Sequence, residues 1–296
     1  MTDPLRLATR GSPLALAQTA AVIVRLADAG VAAMPIVVET EGDRRGDVAL
    51  AELAGRGVFT KEVQAAVLDG RADVAVHSAK DLPALTPDGL VLAAVPERVD
   101  AADALVGASL AILAPGATVA TGAPRRRALL LAARPDLHVV GLRGAIATRL
   151  AALETKGIDA VVVAVAALER LGLVDRIAER LDPARFVPQV GQGAIALECA
   201  AGAAVLEQLS AIDDAAARMA VTAERAFLVE LGVGCDVPGG AYASWSEGTA
   251  SVHGVLMTED GAVVVRGREV DADPERAGRA LAARLREALG HEVAAR

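Results

Sequence analysis

Short apolar runs alternate with helical spacings through the first hundred residues, and this alternation predicts an α/β fold. Runs rich in β-branched residues predict strands at 5–9, 36–39, 72–76 and 90–95. Apolar side chains recur at helical spacing within 13–30 and 60–69. Ser12 is suited to cap the first of these helices and Pro13 to open it. Strands separated by helices imply a mostly parallel sheet covered by helices.

The same alternation restarts after residue 98 and predicts a second α/β unit. Strands are expected at 104–106, 119–120, 138–142 and 160–164. Helices are expected to follow Pro124, to start near Ile146 and to span 167–171. The glycine-punctuated segment 188–193 then predicts a crossing between units, before a strand at 194–197 that Cys199 extends as a buried thiol.

A different pattern follows residue 214 and predicts a smaller α+β unit. Met219, Ala223, Phe227 and Leu231 lie on one face of a helix that runs into a glycine-rich loop carrying Cys235. Strands at 251–256 and 262–267 flank an Asp-Gly turn, which indicates a hairpin. The last helix places Ala277, Leu281, Leu285 and Leu289 on one face.

Composition narrows the function classes. The 296 residues are 53% hydrophobic and 2% aromatic, with a net charge of −8. The low aromatic content disfavours binding of single-stranded nucleic acid by base stacking. The negative net charge disfavours attraction to nucleic acid or to an anionic membrane. Four scattered histidines have no metal-ligand spacing, so no metal is expected. Without a secretion signal or a membrane-length apolar run, a soluble cytoplasmic protein is expected.

The strand at 72–76 ends in polar residues that could carry chemistry. His77, Ser78, Lys80 and Asp81 follow it, and Pro83 blocks a regular continuation. Ligands of open α/β sheets bind beyond the carboxyl ends of the strands, where a lysine beside an aspartate could bind an anion and move a proton. An equally simple interpretation is that Lys80 and Asp81 belong to a solvated turn and bind nothing. His77 is expected to be structural.

Five arginines lie at or just beyond strand ends of the second unit: Arg125, Arg126, Arg143, Arg149 and Arg170. A helix N-terminus disfavours cations, so arginines at the start of the helix after Pro124 favour a bound anion over a solvated face. Together these residues predict a crevice for a carboxylate-rich ligand, with Asp81 as a proton-transfer group. Cys235 would be a covalent attachment point, although a loop thiol is more often incidental.

These residues carry a resemblance to the hydroxymethylbilane synthases, also called porphobilinogen deaminases. The segment at 76–83 reads Val-His-Ser-Ala-Lys-Asp-Leu-Pro, and 234–238 reads Gly-Cys-Asp-Val-Pro. Matching segments occur in the family's order and span nearly the whole chain, at 8–18, 57–62, 71–83, 142–149, 164–173, 190–194, 218–227 and 234–238.

The resemblance implies two α/β domains similar to a periplasmic binding protein, flanking a crevice, and a smaller α+β C-terminal domain. Domain 1 would comprise 1–97 and 194–213, domain 2 would comprise 98–193, and domain 3 would comprise 214–296 and carry the cysteine loop. A monomer is also implied.

The implied reaction joins four porphobilinogen molecules head to tail, releases ammonia each time and yields hydroxymethylbilane. Asp81 would be catalytic, through proton transfer and stabilisation of positive charge. A dipyrromethane cofactor would be attached to Cys235 and bound by Lys80, Thr121, Arg125, Arg126, Arg143 and Ser12. Substrate would be bound by Arg10, Arg149, Arg170, Lys61 and Gln192.

The chain departs from the family pattern at a few positions. Gly122 and Ala123 replace two common serines, which removes two hydroxyl donors to cofactor carboxylates. Ala145 replaces a common asparagine, and Asp236 replaces a common glutamine beside the cysteine. Two alternatives therefore stand beside the enzyme: a two-lobed cytoplasmic carboxylate-binding or sensing protein, and a degenerate homologue that loads its cofactor poorly.

Overall fold

The computed structural model describes residues 3–40, 60–232 and 238–294. These residues divide into two compact units. Unit 1 comprises Met1–Val99 and Ala194–Arg218, and unit 2 comprises Asp100–Gly193 and Met219–Arg296. The boundaries of the three expected domains stay a prediction. Within the described ranges, every helix is too short or too polar to cross a membrane.

The strands and helices that the hydrophobic pattern predicts occur in the predicted order, with further elements among them. The strands are β1 (Leu5–Arg10), β2 (Ala33–Val38), β3 (Val74–Ser78), β4 (Leu90–Ala94), β5 (Asp103–Val106), β6 (Thr118–Ala120), β7 (His138–Val140), β8 (Ala160–Ala164), β9 (Ile177–Arg180), β10 (Ile195–Ala200), β11 (Gly239–Ser246), β12 (Thr249–Met257) and β13 (Val264–Asp271). The helices are α1 (Pro13–Asp28), α2 (Lys61–Leu68), α3 (Pro124–Ala133), α4 (Ile146–Thr155), α5 (Val165–Arg170), α6 (Val205–Ser210), α7 (Ala215–Leu231) and α8 (Pro274–Ala294).

Unit 1 is built on a five-stranded sheet in the order β2-β1-β3-β10-β4. Strand β1 pairs in parallel with β2 and β3, whereas β10 runs antiparallel to β3 and β4. Leu7, Val74 and Leu197 are buried in its core with the apolar face of α1. The expected mostly parallel sheet is confirmed, with β10 as the inserted antiparallel strand.

Two strands of unit 1 differ from the predicted bounds. Strand β2 starts three residues earlier than predicted and includes Pro35, which is tolerated because β2 is an edge strand. Strand β3 lies two residues later than predicted, because His77 and Ser78 pair with Ala196 and Ile195 of β10. The partner strand is distant in sequence, so this extension could not be read from local pattern.

Unit 2 contains a second five-stranded sheet, in the order β7-β6-β8-β5-β9. Strand β6 pairs in parallel with β7 and β8, and β5 pairs antiparallel with β8 and β9. Strand β9 was not predicted. Its burial alternates between intermediate and exposed, as expected for a short edge strand without an apolar run.

Unit 2 also contains a three-stranded antiparallel sheet, β11-β12-β13, covered by α7 and α8. Leu281, Leu285 and Leu289 of α8 pack with Phe227 of α7, as the helical spacing predicts. The predicted hairpin is confirmed as β12 and β13, and β11 is an additional strand. The expected fold class is therefore confirmed: two α/β sheets and a smaller C-terminal α+β region.

Helix α3 packs against this C-terminal region through close backbone approaches. A Cβ at Gly261 would lie 2.3 Å from the carbonyl oxygen of Ala128. A Cβ at Gly240 would lie 2.4 Å from the carbonyl oxygen of Pro188 and 2.9 Å from Cδ of Arg125. Glycine is required at such contacts because any larger residue would displace backbone atoms. The start of α3, with its arginines, is held against β11.

Candidate functional site

In unit 1, two of the candidate residues lie in a single 3-10 turn that follows β3. Ala79–Asp81 form this turn, and Lys80 and Asp81 are half-buried. The amide of Ala79 donates to the carbonyl of Ala194 at 3.0 Å, which fixes the turn to the start of β10. Hydrogen bonds at Ala79 therefore hold the backbone of the turn in place, while the side chain of Asp81 stays partly exposed.

Three other predicted residues of unit 1 lie near the ends of secondary structure. Arg10 is the last residue of β1, and Lys61 is the exposed first residue of α2. Ser12 caps α1 as predicted, because its hydroxyl oxygen accepts from the amide of Ala15 at 3.3 Å. That bond leaves the Ser12 hydroxyl proton for another acceptor.

Behind the turn lies a buried polar cluster that the sequence pattern did not predict. Glu198 of β10 is 0% exposed and accepts a hydrogen bond from the side-chain amide of Gln64 at 2.7 Å. His77 of β3 is 5% exposed, and its Nε2 lies 3.3 Å from the same carboxylate. This position is consistent with the expectation that His77 is structural.

In unit 2, the candidate residues are centred on Arg125 and Arg126 in the first turn of α3. Both guanidiniums are buried, and both bind the carboxylate of Asp103, the first residue of β5. Arg125 and Arg126 each place an Nη 2.7 Å from an oxygen of Asp103. The sequence predicted an external anion for these arginines, and the structure supplies part of that charge from Asp103. This acid offsets part of the positive charge of two cations at a helix N-terminus.

Asp103 is ionised in this environment. Burial alone would raise the pKa of Asp103, but the charges of Arg125 and Arg126 outweigh it and hold the pKa well below its usual range. Burial also lowers the pKa of Arg125, against the opposing effect of Asp103. These three side chains, two arginines and one carboxylate, therefore carry one net positive charge among them.

Arg143 and Arg149 add further positive charge beside this cluster. Burial lowers the pKa of Arg149, and the nearby charges of Arg126 and Arg143 lower it further. Nε of Arg149 donates to the carbonyl of Gly144 at 2.8 Å. The lowered pKa of Arg149 indicates repulsion from neighbouring cations, and a bound anion would relieve it.

Arg170 stands at the end of α5. Its Nη2 donates to the carbonyl of Gly193 at 2.8 Å. Burial lowers its pKa to about 10, although the opposing charge of Glu169 raises it. The guanidinium is still charged at neutral pH and is tied to the end of segment 190–193.

Gln192 and Thr121 are both buried and hydrogen-bonded within unit 2. Gln192 is 0% exposed, and its amide nitrogen donates to the carbonyl of Ala101 at 2.7 Å and to Asp103 at 2.8 Å. A substrate could reach this amide only by displacing those partners. Thr121 is 6% exposed, and its hydroxyl accepts from the amide of Ala123 at 3.3 Å.

Buried acids are the site residues that sequence reasoning missed. Besides Asp103 and Glu198, Glu224 of α7 is 0% exposed and accepts from the amides of Gly191 and Ala243 at 2.6 and 2.7 Å. Each of the three stands within or beside an apolar run. A charged residue that interrupts such a run is the signal that could have identified them, because a buried carboxylate requires partners.

The two cysteines of the chain have different settings. Cys199 lies in β10, is 0% exposed, and burial raises the pKa of its thiol. A buried protonated thiol is a poor nucleophile. Cys235 and the neighbouring Asp236 lie outside the described residues. Among the described residues, no cluster of acids, histidines and cysteines could hold a metal ion.

Comparison with known proteins identifies the family. The family model described as "Porphobilinogen deaminase, dipyromethane cofactor binding domain" matches residues 5–208, and the model for the C-terminal domain of the same family matches residues 218–287. A porphobilinogen deaminase of Syntrophotalea carbinolica is 43% identical, with 97% of this chain and 93% of that protein aligned. One of Roseiflexus castenholzii is also 43% identical, over the full length of both.

A solved periplasmic substrate-binding protein from Coxiella burnetii aligns with 75% of this chain and 96% of its own, at 16% identity and a TM-score of 0.43. An overlap of that size adds nothing to the sheet topology already described. The sequence matches, in contrast to this structural overlap, extend from the first strand to the last helix. This chain belongs to the porphobilinogen deaminase family.

Proposed function

We propose that this protein is a hydroxymethylbilane synthase of tetrapyrrole biosynthesis. It joins four porphobilinogen molecules head to tail and releases one ammonia for each. The observation that carries this proposal is the match of both family models, in order, over residues 5–208 and 218–287. The alternative of a simple carboxylate-binding protein leaves the matched C-terminal region without a role.

The charge of unit 2 fits a cofactor that carries carboxylates. Dipyrromethane brings acetate and propionate side chains, and it supplies the primer to which substrate units are added. The charges of Arg126 and Arg143 both act on Arg149, and a carboxylate bound beside Arg149 would relieve this repulsion. We assign Arg125, Arg126, Arg143 and Thr121, with Lys80 and Ser12 of unit 1, to binding this group.

The attachment point is Cys235. Of the two cysteines in the chain, Cys199 is enclosed in β10 with a raised thiol pKa, which disfavours thioether formation there. Cys235 stands between α7 and β11, and Glu224 of α7 accepts from the amide of Ala243 in β11. This buried bond ties together the two elements on either side of the cysteine.

Asp81 is assigned to proton transfer. Its protonated carboxyl group would donate a proton to the departing amine of porphobilinogen, which leaves as ammonia, and the resulting carboxylate would stabilise the positive charge left on the pyrrole. Arg10, Arg149, Arg170 and Lys61 would bind the carboxylates of incoming substrate, which bidentate arginine contacts also orient. Gln192 was predicted to bind substrate, but its contacts favour a role in positioning Arg126. A cytoplasmic location and a monomeric state stay predictions.

The attachment is tested by intact mass of the denatured protein from cells that make porphobilinogen. The wild-type protein should exceed its sequence mass by one dipyrromethane. Cys235→Ser should lack this addition, whereas Cys199→Ala, the matched cysteine variant, should keep it. An unmodified wild-type protein, or an addition that persists in Cys235→Ser, would refute the assignment. An unmodified protein that still folds would favour the degenerate homologue.

The catalytic role is tested with Asp81→Asn in the cofactor-loaded protein. Porphobilinogen consumption should fall about a hundredfold or more, because general acid–base catalysis is lost. Asp88→Asn, at an exposed aspartate of the same loop region, should retain near-normal turnover. Near-normal bilane formation by Asp81→Asn would contradict the role.

A further inference from the structure

Asp103 occupies a position to which neither the resemblance nor the family comparison gives a role. It is 1% exposed at the start of β5. Its Oδ2 accepts from Nη2 of Arg125 at 2.7 Å, and its Oδ1 accepts from Nη2 and Nε of Arg126 at 2.7 and 3.1 Å. The amide of Gln192 donates to the same Oδ1 at 2.8 Å. One carboxylate thus holds two guanidiniums and an amide.

The two arginines are also fixed at their other nitrogens. Nη1 of Arg125 donates to the carbonyl of Val187 at 2.6 Å, and Nη1 of Arg126 donates to the carbonyl of Val162 at 3.1 Å. A guanidinium is planar, so bonds at two or three of its nitrogens fix the directions of its remaining N–H groups. The stem of Arg125 is further confined by Gly240 of β11, where a Cβ would lie 2.9 Å from its Cδ.

The charge balance of this network is incomplete. Among the described residues the two guanidiniums share one carboxylate, and the charges of Arg126 and Arg143 both act on Arg149. A carboxylate that served only to neutralise buried arginines would be expected with a partner for each charge. Here the acid orients the pair and leaves it positively charged.

We propose that Asp103 is a positioning residue of the bilane-forming site, which holds the guanidiniums of Arg125 and Arg126 in the orientation that binds cofactor carboxylates. This inference rests on the function proposed above. It assigns no contact between Asp103 and cofactor or substrate, since the aspartate acts through the two arginines. The alternative is a stabilising ion pair that matters only for folding.

The test compares Asp103→Asn with Asp213→Asn, a matched control in unit 1. Asp213 binds Nε of Arg218 at 2.6 Å, and Arg218 also donates to the carbonyls of Leu92 and Ala93. Both variants weaken a partly or fully buried aspartate–arginine pair while keeping the side-chain size. For each, the loaded fraction is measured by intact mass, and kcat and KM are measured per molecule that carries the adduct.

Asp103→Asn should lower the adduct-bearing fraction below that of Asp213→Asn. It should reduce kcat per loaded molecule at least about tenfold, with KM changed less than about threefold, because small misplacements of bound groups slow the chemical step. Asp103→Glu keeps the charge but moves the carboxylate by one methylene, and it should also lose kcat. It serves as the test if Asp103→Asn does not fold.

Normal adduct and kcat in the Asp103 variants, beside an active wild-type protein, would overturn the positioning role. Equal losses in Asp103→Asn and Asp213→Asn would do the same, since they would reflect destabilisation alone. A wild-type protein without adduct or turnover would instead refute the proposed function, so the two failures are distinguishable.

Discussion

Gly122 and Ala123 stand side by side at the start of α3, and their backbone settings differ. Ala123 is the N-cap of α3 and offers no side chain to the free amides of the first turn. A Cβ at Gly122 would lie 2.6 Å from the carbonyl oxygen of Leu142. The same serine should therefore have opposite effects at the two positions.

Ala123→Ser should raise the free energy of unfolding by about 1 kcal/mol, because its hydroxyl can accept from an amide of the first turn. Gly122→Ser should lower it by about 1–3 kcal/mol, because the new Cβ must displace a backbone carbonyl. Urea unfolding of both variants checks the pair. Stabilisation by both serines would show that the Leu142 carbonyl yields easily, which would contradict the packing argument.

At the scale of single residues, the sequence predicted residue types better than partners. It identified Arg125 and Arg126 as partners of an anion but did not include Asp103, and their binding of a ligand stays a prediction. Asp103 precedes the apolar run 104–106 and has no local feature that points to residues 22 and 23 positions later. Gln192 was assigned to substrate for the same reason. Long-range pairing is set by the fold, and pattern along the chain does not encode it.

At the scale of elements, α8 contains two glycines whose surroundings are opposite. Gly278 faces α7, and a Cβ there would lie 2.0 Å from the carbonyl oxygen of Ala223 and 2.9 Å from the amide nitrogen of Phe227. Gly290 lies on the exposed face of the same helix, where a Cβ would have no atom of the described residues within 4 Å beyond its own turn of helix. Intrinsic helix propensity favours alanine at both positions.

Gly290→Ala should raise the free energy of unfolding by up to about 1 kcal/mol, through helix propensity alone. Gly278→Ala should lower it, because two helix backbones would have to separate and the gain in propensity is smaller than that cost. Thermal unfolding of the two variants gives the comparison. Equal stabilisation would mean that α7 and α8 are not in close contact.

Elements with a strong periodic pattern were predicted well, whereas two edge strands without such a pattern were missed. The faces of α1, α7 and α8 follow from the helical spacing of apolar residues. Strand β9 and strand β11 were missed, since one has no apolar run and the other opens with two glycines. Strand β3 extends to Ser78 because β10 pairs with its last two residues. Lys80 and Asp81 therefore lie in the 3-10 turn directly after the strand, whereas the predicted strand ended at residue 76.

At the scale of the whole molecule, the chain passes between its two units at 99/100, 193/194 and 218/219. The sequence predicted a crossing at segment 188–193 from its glycines. Two hydrogen bonds hold the last part of that segment within unit 2, one from the amide of Gly191 to Glu224 and one from Arg170 to the carbonyl of Gly193. Sequence pattern located the crossing, and buried polar contacts explain why it is fixed.

The dependence of the free energy of unfolding on pH at acidic pH should depend on the network around Asp103. Its pKa is lowered in the folded protein, so the ionised acid contributes stability above its unfolded pKa of about 3.8, and this contribution is lost as the pH falls below that value. Asp103→Asn should therefore flatten the dependence of unfolding free energy on pH between about 4 and 2, by at most about 1.4 kcal/mol per pH unit.

Asp271 provides the comparison, because its pKa is lowered to about 2 by an exposed hydrogen-bonded pair with Arg276. High salt screens exposed charges and leaves buried ones largely unaffected. The effect of Asp271→Asn on this pH dependence should fade between 0.05 and 1 M salt, conditions chosen as roughly low and high screening. The effect of Asp103→Asn should persist in both. If the two variants respond alike to salt, Asp103 is not the buried ionised acid that fixes Arg125 and Arg126.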